Sequence, residues 1–143
     1  MISKTCEYAI RAMLFIAQKS MNEKKVSIKQ VAKAIGAPEP FIAKILQELG
    51  KKKLLLSVKG PNGGFYLDAT GLKKNLADVV IAINGDRLFT GCGLGLKTCS
   101  DKKPCPIHDD YIIVRKRIKV MLEKATLGDY HQALELKEKY LTR

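Results

Sequence analysis

Apolar positions in the first third of the chain recur every three to four residues, a spacing that predicts short amphipathic helices. The first predicted helix spans residues 6–19, and the second spans 28–35, with Ser27 placed to cap its N-terminus. Gly36 ends the second helix, and a third helix from about 40 to 49 follows after a tight turn. Two short helices joined in this way are typical of a helix-turn-helix that reads DNA.

The third predicted helix has an apolar face and a polar face. Lys44 and Gln47 lie on the polar face, from which they can reach base edges or phosphates in a major groove. A two-helix hairpin whose polar face only meets solvent is the alternative for this segment. The apolar residues expected to pack inward are Phe41, Ile42, Ile45, Leu46 and Leu49.

A β-hairpin is predicted directly after the third helix. Residues 54–58 and 65–67 have the composition of strands, and the Gly- and Pro-rich run 60–64 between them is a dense turn signal. A hairpin in this place makes a winged helix-turn-helix, and Lys59 stands at the base of its tip. A basic wing can enter a minor groove or follow the phosphates, which favours DNA binding over the solvated hairpin.

The second half of the chain predicts a helix, a loop, a long helix and a short last helix. Asn75 begins the first of these helices, which ends at Gly85, and Asp129 can begin the last one, which reaches about Tyr140. The predicted fold is mainly α, a winged helix-turn-helix with a small β-hairpin wing and a long C-terminal dimerisation helix. The expected divisions are a DNA-binding domain at 1–85, a cysteine-rich cluster-binding loop at 86–106, and a dimerisation helix with a C-terminal helix at 107–143.

The long helix begins near Pro106 and has apolar residues at alternating spacings of four and three. This period of about 3.5 residues is typical of a coiled-coil seam. A helix of this length in a small protein needs a partner, and its copy in a second subunit would give a twofold homodimer that reads two half-sites. Packing against its own domain is the alternative. The seam consists of Ile107, Tyr111, Val114, Ile118, Met121 and Ala125.

The charge of the chain strengthens the DNA-binding interpretation. The 143 residues carry a formal net charge of +12, of which +8 falls in residues 1–60 and +4 in residues 61–143. The excess of Lys and Arg in the first segment predicts an N-terminal nucleic-acid footprint. No apolar run approaches the roughly 20 residues that cross a bilayer, and no export signal is recognisable, so we expect a cytoplasmic protein without a membrane partner.

Three of the four cysteines fall in one Gly-rich stretch, with the spacing Cys92-x6-Cys99-x5-Cys105-x2-His108. Soft thiolates gathered on a loop are what a metal ion or an iron–sulfur cluster requires. Structural zinc sites usually pair their cysteines two to four residues apart, so these wider intervals favour a cluster over zinc. Zinc, a redox-switch disulfide and three unrelated free thiols stay open as alternatives.

Three cysteines leave one ligand position to be filled. His108 is the nearest candidate, and imidazole in place of thiolate raises the potential of a cluster. Glu7 or Cys6 from the first helix, of the same or of a second subunit, are the other candidates.

These residues resemble the winged-helix iron–sulfur transcription regulators of the IscR and NsrR family. The resemblance implies a bacterial dimeric regulator whose Cys92, Cys99 and Cys105 ligate a cluster, 2Fe–2S in preference to 4Fe–4S. Its IscR-like branch implies His108 as the fourth ligand, whereas its NsrR-like branch implies a carboxylate at the position of Glu7. The resemblance rests on residues 8–13, 58–67, 83–85 and 126–128 and on the three cysteines.

The chain departs from the IscR pattern in two places. The first cysteine interval is one residue longer, and Ala43 stands where IscR has an acidic residue, so the operator sequence does not transfer. The predicted DNA-contacting residues are Ser27, Lys29, Glu39, Pro40, Ala43, Lys44, Gln47, Lys51, Lys59, Gly60, Pro61, Asn62 and Gly63.

The expected function is therefore transcription regulation in response to iron, redox state or nitric oxide. A cluster-free regulator of the same fold, using zinc, a thiol switch, or a small-molecule or protein partner, is the alternative. An enzyme is not expected, because the Cys105–His108 pair has no oxyanion-type loop or pocket signature beside it, and no small-molecule substrate follows.

Overall fold

The computed structural model describes residues 2–143 and is mainly helical, with one small antiparallel β-hairpin. The predicted fold class is thereby confirmed. None of the helices in this part of the chain is long and apolar enough to span a membrane. The elements in chain order are α1 Lys4–Met21, α2 Ile28–Ile35, α3 Glu39–Lys51, β1 Leu56–Val58, β2 Gly64–Tyr66, α4 Ala69–Leu72, α5 Leu76–Asn84, α6 Arg87–Thr90, α7 His108–Lys124, a 3-10 turn Leu127–Tyr130, and α8 His131–Glu135.

Polar side chains cap the helices at the positions that the sequence predicts. The Ser27 hydroxyl accepts a hydrogen bond from the Gln30 amide at the start of α2, and the Gln30 side chain accepts one from the Ser27 amide in return. Gly36 ends α2 in the left-handed conformation, with a φ of 65°. Asn75 and Asp78 form the same reciprocal box at the start of α5. These caps satisfy backbone donors that the first turn of a helix leaves free.

The core is built around α1, which packs against α2, α3, α5, the 3-10 turn and α8. Leu122 of α7 and Leu127 of the 3-10 turn are buried in this same core. The C-terminal segment therefore packs on the winged helix-turn-helix of its own chain, and one core joins all three predicted divisions. The α1 residues that are fully buried are Cys6, Ala9, Ala12, Met13, Ile16 and Ala17.

The prediction that Phe41 packs inward is wrong. Its side chain is 58% exposed, whereas the other four apolar residues predicted for that face are buried. Those four recur at spacings of three, one and three and already form a complete buried stripe. Phe41 precedes the stripe by one residue, which turns it about 100° around the helix toward the solvent side.

The first strand is shorter than predicted, and the second has the predicted length but begins one residue earlier, at Gly64. Leu54 and Leu55 are buried and lie outside β1, although the sequence predicts a strand from residue 54. Lys53 adopts a left-handed φ of 60°, and the Leu54 amide returns to the Leu49 carbonyl at 3.0 Å, so this segment completes the C-terminus of α3. Such a hydrogen-bonded helix end commonly carries an apolar contact, which accounts for the buried leucines.

The wing is joined at its base to the segment that precedes α2. Val26 and Phe65 exchange two backbone hydrogen bonds of 3.0 and 2.7 Å, which add a one-residue third strand to the hairpin. Gly64 has a φ of 142°, and a Cβ there would lie 2.8 Å from the Val26 carbonyl oxygen. Glycine is therefore required where the two backbones meet.

The predicted last helix, from Asp129 to about Tyr140, is wrong in both bounds. Thr126 caps the 3-10 turn with Asp129 as its partner in the capping box, and α8 ends at Glu135. The chain then reverses at Lys137, whose φ is 55°.

The reversal brings the C-terminal residues back over α1. An Arg11 guanidinium nitrogen donates to the Leu141 carbonyl at 3.1 Å. A Cβ built on Gly36 would lie 3.5 Å from the Thr142 hydroxyl, so the tail reaches the turn between α2 and α3.

Candidate functional site

Most of the predicted DNA-contacting residues are exposed on α2, α3 and the wing. Lys29 lies on the first turn of α2, and Lys44, Gln47 and Lys51 lie along the outer side of α3. Their long side chains are free to reach a groove or a phosphate. The others are exposed at Ser27, Glu39, Pro40, Lys59, Gly60, Pro61 and Asn62, and half-buried at Ala43 and Gly63.

Among residues 2–143, Lys44, Lys51 and Lys59 form no ion pair. Their charge is not neutralised within the protomer, which suits an anionic partner. Lys52 differs, because it pairs with Glu48 at 3.3 Å and donates to the Ala82 carbonyl of α5.

Lys52 thus ties the end of α3 to α5. Residues 85–91 lead directly from α5 through α6 into the cysteine-bearing segment. Only α5 and the short α6 therefore lie between α3, the helix predicted to read DNA, and the predicted cluster loop.

Arg115 holds the start of the cysteine loop against α7. Its guanidinium donates to the Gly91 carbonyl at 2.6 Å and to the Thr90 carbonyl at 3.2 Å. Two residues on, a Cβ at Gly93 would lie 2.8 Å from the Tyr111 ring, so the backbone lies directly on α7. These contacts fix Cys92, which lies between the two glycines, beside the first turns of α7.

The surroundings of Cys92 lower the pKa of its thiol. Backbone amides of Leu94 and Leu96 donate to its sulfur and lower its pKa, and partial burial only partly opposes them. The Cys105 side chain and the Gly95 amide lower the pKa of Cys92 further. Hydrogen bonds to a thiolate favour the charged form, which is the form that binds metals.

Cys99 and His108 form a close pair. The His108 side chain is buried, with 6% exposure, and its Nδ1 lies 3.6 Å from the Cys99 sulfur. Its Nε2 lies 2.8 Å from Oδ1 of Asp101, whose side chain is 91% exposed. A proton on Nε2 that is donated to the carboxylate leaves the Nδ1 lone pair facing the sulfur.

Among the four predicted cluster ligands, the structure brings Cys99 and His108 into direct contact. Within residues 2–143, no three His, Cys, Asp or Glu side chains stand close enough to hold a single metal ion. The donor chemistry nevertheless fits an iron–sulfur cluster, because the loop carries three free thiols and an imidazole whose free nitrogen faces one of them.

The structure separates the two other candidates for the fourth ligand from this loop. Cys6 is fully buried in the core, and burial, with a smaller effect of the Glu7 charge, raises its pKa to about 11. Glu7 is exposed and forms an ion pair with Lys4 at 3.8 Å. It does not line the 360 Å³ cavity beside Cys92, which Ser3, the N-cap residue of α1, lines instead. Within one protomer, His108 is the candidate nearest to the thiols.

Asp101 and Arg115 are site residues that the sequence pattern does not identify. An acidic residue two positions after a cysteine carries no recognisable pattern, and one arginine on a helix rich in basic residues looks like surface charge. Their roles come from hydrogen bonds to partners 7 and 24 residues away along the chain.

Comparison with known proteins identifies the family of the chain. Residues 2–133 match the model of the Rrf2 family, described as an iron-dependent transcriptional regulator. A helix-turn-helix-type transcriptional regulator of Aquifex aeolicus is 29% identical over 141 residues, which cover 97% of this chain and 94% of the relative.

Two solved structures share the fold. IscR of T. potens has a TM-score of 0.74 and 25% identity, with 97% of this chain and 91% of that chain covered. CymR, the global cysteine regulator of B. subtilis, has a TM-score of 0.75 and 22% identity over 92% and 96% of the two chains. The likeness to CymR shows the fold alone. The family match at residues 2–133 spans both the wing and the cysteine loop.

Proposed function

The chain belongs to the Rrf2 family of transcriptional regulators, and from that membership we propose a more specific function. It is a homodimer that binds double-stranded DNA through its winged helix and senses iron, redox state or nitric oxide through an iron–sulfur cluster. The observation that carries the proposal is a loop of three free thiols beside the buried His108, the first residue of α7. Arg115 of the same helix binds the start of this loop. The relatives of the chain are transcriptional regulators rather than enzymes.

Cys92, Cys99 and Cys105 would hold the cluster, and His108 would complete it through Nδ1. A bound cluster supplies one-electron redox chemistry and a group that oxygen, nitric oxide or iron shortage can remove. The chain itself contributes the amides around Cys92, which favour its thiolate, and the Asp101 carboxylate, which orients the imidazole.

A second subunit would cover the free face of α7. Ile113, Val114, Val120 and Met121 are 46–59% exposed on that helix, at spacings that place them on one side. An apolar stripe of this kind on a chain with charged surroundings is typical of a subunit interface. Two winged helices related by a twofold axis would then meet two half-sites on DNA.

Coupling between cluster and DNA would pass through α5 and α7. The cysteine loop starts beside α7, and α5 is joined to α3 through Lys52. A shift of the loop on cluster loss would change the balance of two arrangements of these helices, and about 1–3 kcal/mol of coupling is enough for a useful switch.

The test of DNA binding is the salt dependence of affinity for a duplex selected by the protein from a random library. Lys44→Ala and Lys59→Ala should weaken binding. Each should also make the negative slope of log K against log salt less steep, by about 0.9 for every phosphate that the variant no longer neutralises. Lys119→Ala, on α7 and away from its apolar face, is the matched control and should bind as the native protein does. Unchanged affinity and slope in both test variants would refute the assignment.

The test of sensing is anaerobic purification followed by visible absorption, iron and sulfide analysis of one sample. Matching iron and sulfide per subunit supports the cluster, and neither element after anaerobic reconstitution excludes it. His108→Ala should lose the cluster faster than Glu7→Ala. Equal DNA affinity of the loaded and cluster-free proteins at every promoter would contradict sensing.

A cluster-free thiol switch is the second candidate, because Cys92 combines a lowered pKa with Cys105 as a neighbouring thiol. Hydrogen peroxide would oxidise the Cys92 thiolate to a sulfenic acid with release of hydroxide, and the Cys105 thiol would then displace water to form the disulfide. Peptide mass spectrometry of peroxide-treated protein that never bound iron would detect this disulfide. DNA affinity that follows disulfide formation in a protein without iron would favour this candidate over the cluster.

A further inference from the structure

Lysine side chains surround a cavity between α1, α2 and the segment that joins them, here called the basic pocket. Its volume of about 500 Å³ lies within the range of roughly 300–1,000 Å³ that small-molecule sites occupy. Phe15, Val26 and Ala34 form its apolar base, where they are buried or half-buried. The cationic rim consists of Lys19, Lys24, Lys25 and Lys33.

The four ammonium groups of the rim have no carboxylate partner in the part of the chain that the structure describes. None of the ion pairs of residues 2–143 includes them, and no aspartate or glutamate of those residues lines the pocket. The Glu135 carboxylate, which packs on α1, accepts from Gln18 and Asn22 instead, at 2.9 Å each. Four like charges around one cavity repel one another, and an anion inside the cavity would relieve that repulsion.

Aromatic rings restrain two of these lysines. The Lys19 ammonium lies 5.6 Å from the centroid of the Phe15 ring, and the Lys25 ammonium lies 5.4 Å from that of Tyr66 on β2. The negative face of a ring attracts an ammonium group without neutralising its charge. Both groups are therefore held beside the pocket with their full charge available to a ligand.

The surfaces proposed to contact DNA do not account for this charge. Val26 pairs antiparallel with Phe65. Ser27 therefore lies toward the wing tip at 60–63, and Lys25 lies toward the opposite end of the hairpin. The basic pocket is thus beside the base of the wing, set back from the tip and from the outer side of α3, and it stays accessible to a ligand other than the duplex.

We propose that the basic pocket binds a small organic anion with an aromatic body, such as an aromatic carboxylate. The carboxylate would accept from the lysine ammonium groups, and the aromatic body would lie against Phe15, Val26 and Ala34. Lysine ammonium groups also attract the face of an aromatic ligand. An apolar lining with a few convergent polar groups is typical of ligand sites. No residue of the cysteine loop lines this pocket, so the two sites are separate.

A ligand in the basic pocket would contact the segment that fixes the wing. Val26 exchanges two backbone hydrogen bonds with Phe65 of the wing. Gln30, which also lines the pocket, forms the cap of α2 with Ser27. The bound anion would therefore favour one arrangement of the wing and of α2 and so change the affinity for DNA, an effect that rests on the proposed function.

Titration of the ¹⁵N-labelled complete protein with 2-naphthoate, followed by two-dimensional NMR, tests the site. The amide signals of Val26, Lys33 and Ala34 should shift along one common saturation curve. 2-Naphthamide has the same aromatic body without the charge, and it should bind about tenfold more weakly because it forms no charge-assisted hydrogen bond. The absence of saturable shifts at these amides, or equal affinities for the two compounds, would overturn the site.

Lys33→Glu should weaken 2-naphthoate binding about tenfold, since it replaces an attractive charge with a repulsive one. Lys33→Gln should weaken binding by a smaller factor, and it keeps the test decisive if circular dichroism shows that the charge reversal unfolds the protein. Lys73→Glu, at an exposed lysine that follows α4 and does not line the pocket, is the matched control and should bind as the native protein does. Native affinity in folded Lys33 variants would overturn the assignment.

DNA titrations with and without saturating 2-naphthoate test the effect on the wing. The two affinities should differ by about fivefold or more, and saturating duplex should change the affinity for 2-naphthoate by the same factor. Equal DNA affinities would overturn the coupling. A protein that binds no duplex would instead overturn the proposed function, and the NMR titration would still decide whether the pocket binds the anion.

Discussion

Asp101 is almost fully exposed, yet it accepts a hydrogen bond from His108, the one buried polar side chain of the described core. An ordinary surface carboxylate contributes little, because water competes for it. Asp101 differs because its partner is the imidazole of His108, which has two ring nitrogens. A carboxylate at Nε2 favours a proton on that nitrogen and leaves the lone pair of Nδ1 available as a ligand. Partners of this kind typically alter metal affinity 10- to 100-fold.

Asp101→Ala should therefore release the cluster at least tenfold faster to an iron chelator, as followed by the decay of visible absorption. Asp101→Asn should restore part of the stability, because the amide oxygen still accepts from Nε2. Asp109→Asn, an exposed carboxylate on the first turn of α7, is the control. A cluster equally stable in all three variants would remove Asp101 from the site, and an altered midpoint potential in Asp101→Ala would show an effect on the cluster itself.

The thiols also differ residue by residue. In cluster-free protein at pH 7, Cys92 should react with iodoacetamide before Cys6, because its lowered pKa favours the thiolate. Cys6, fully buried and with its pKa raised to about 11, should react only after unfolding. Mass spectrometry of peptides after timed labelling measures both. Early labelling of Cys6 would contradict its place in the core.

Residue identity predicted these sites only in part. Three cysteines and a histidine on a Gly-rich loop stand out in the sequence, as do the basic residues of the third helix. The contact between Cys99 and His108 and the exposure of Phe41 do not, because they depend on which parts of a loop or helix the remaining chain covers. Conversely, the sequence alone leaves Cys6 as a candidate ligand, and only the structure shows that it is buried in the core.

At the scale of elements, the wing shows how far local patterns extend. The run of Gly, Pro and Asn at its tip predicts the hairpin, and α3 and α5 begin within one residue of their predicted starts. The pairing of Phe65 with Val26 joins segments 39 residues apart and has no local signal. The short α4 and α6 are likewise absent from the prediction, because one helical turn is too short to show a period.

Gly64→Ala tests the attachment of the wing. The new methyl group would press on the Val26 backbone at a φ that favours glycine, so the free energy of unfolding should fall by about 1–3 kcal/mol. DNA affinity should fall with it, because the wing would lose its fixed position. Chemical denaturation and a DNA titration measure the two effects. Asn62→Ala, at the exposed wing tip, should leave stability unchanged, and a stable, fully active Gly64→Ala would argue against this attachment.

At the scale of the whole molecule, the apolar residues of α7 lie on two faces of the helix, one covered by its own chain and one exposed, rather than on a single seam. Ile118 and Ala125 of the predicted seam pack on their own core, and Tyr111 lies against Gly93 of the cysteine loop, whereas Val114 and Met121 turn outward. The period in the sequence identifies the helix correctly. It does not reveal that the residues divide between an internal partner and a free side, because both contacts repeat at the same spacing.

The outward face should be required for dimer formation. Val114→Glu and Met121→Lys place charges on the exposed apolar stripe, so either should shift the protein from dimer to monomer in sedimentation velocity. Lys119→Gln, on another side of α7, is the control. The monomeric variants should keep their helical circular dichroism, because neither residue belongs to the core. An unchanged sedimentation coefficient in both would place the dimer contact elsewhere.

The path of the C-terminal tail has a practical consequence for work with this protein. Leu141 is bound to Arg11, and Thr142 stands beside Gly36, at the turn that leads into α3. A purification tag or fluorescent label attached directly after Arg143 would therefore project next to α3, the helix proposed to contact DNA. The choice of terminus for such a label is thus an experimental variable in any binding assay, and tag removal should precede measurement.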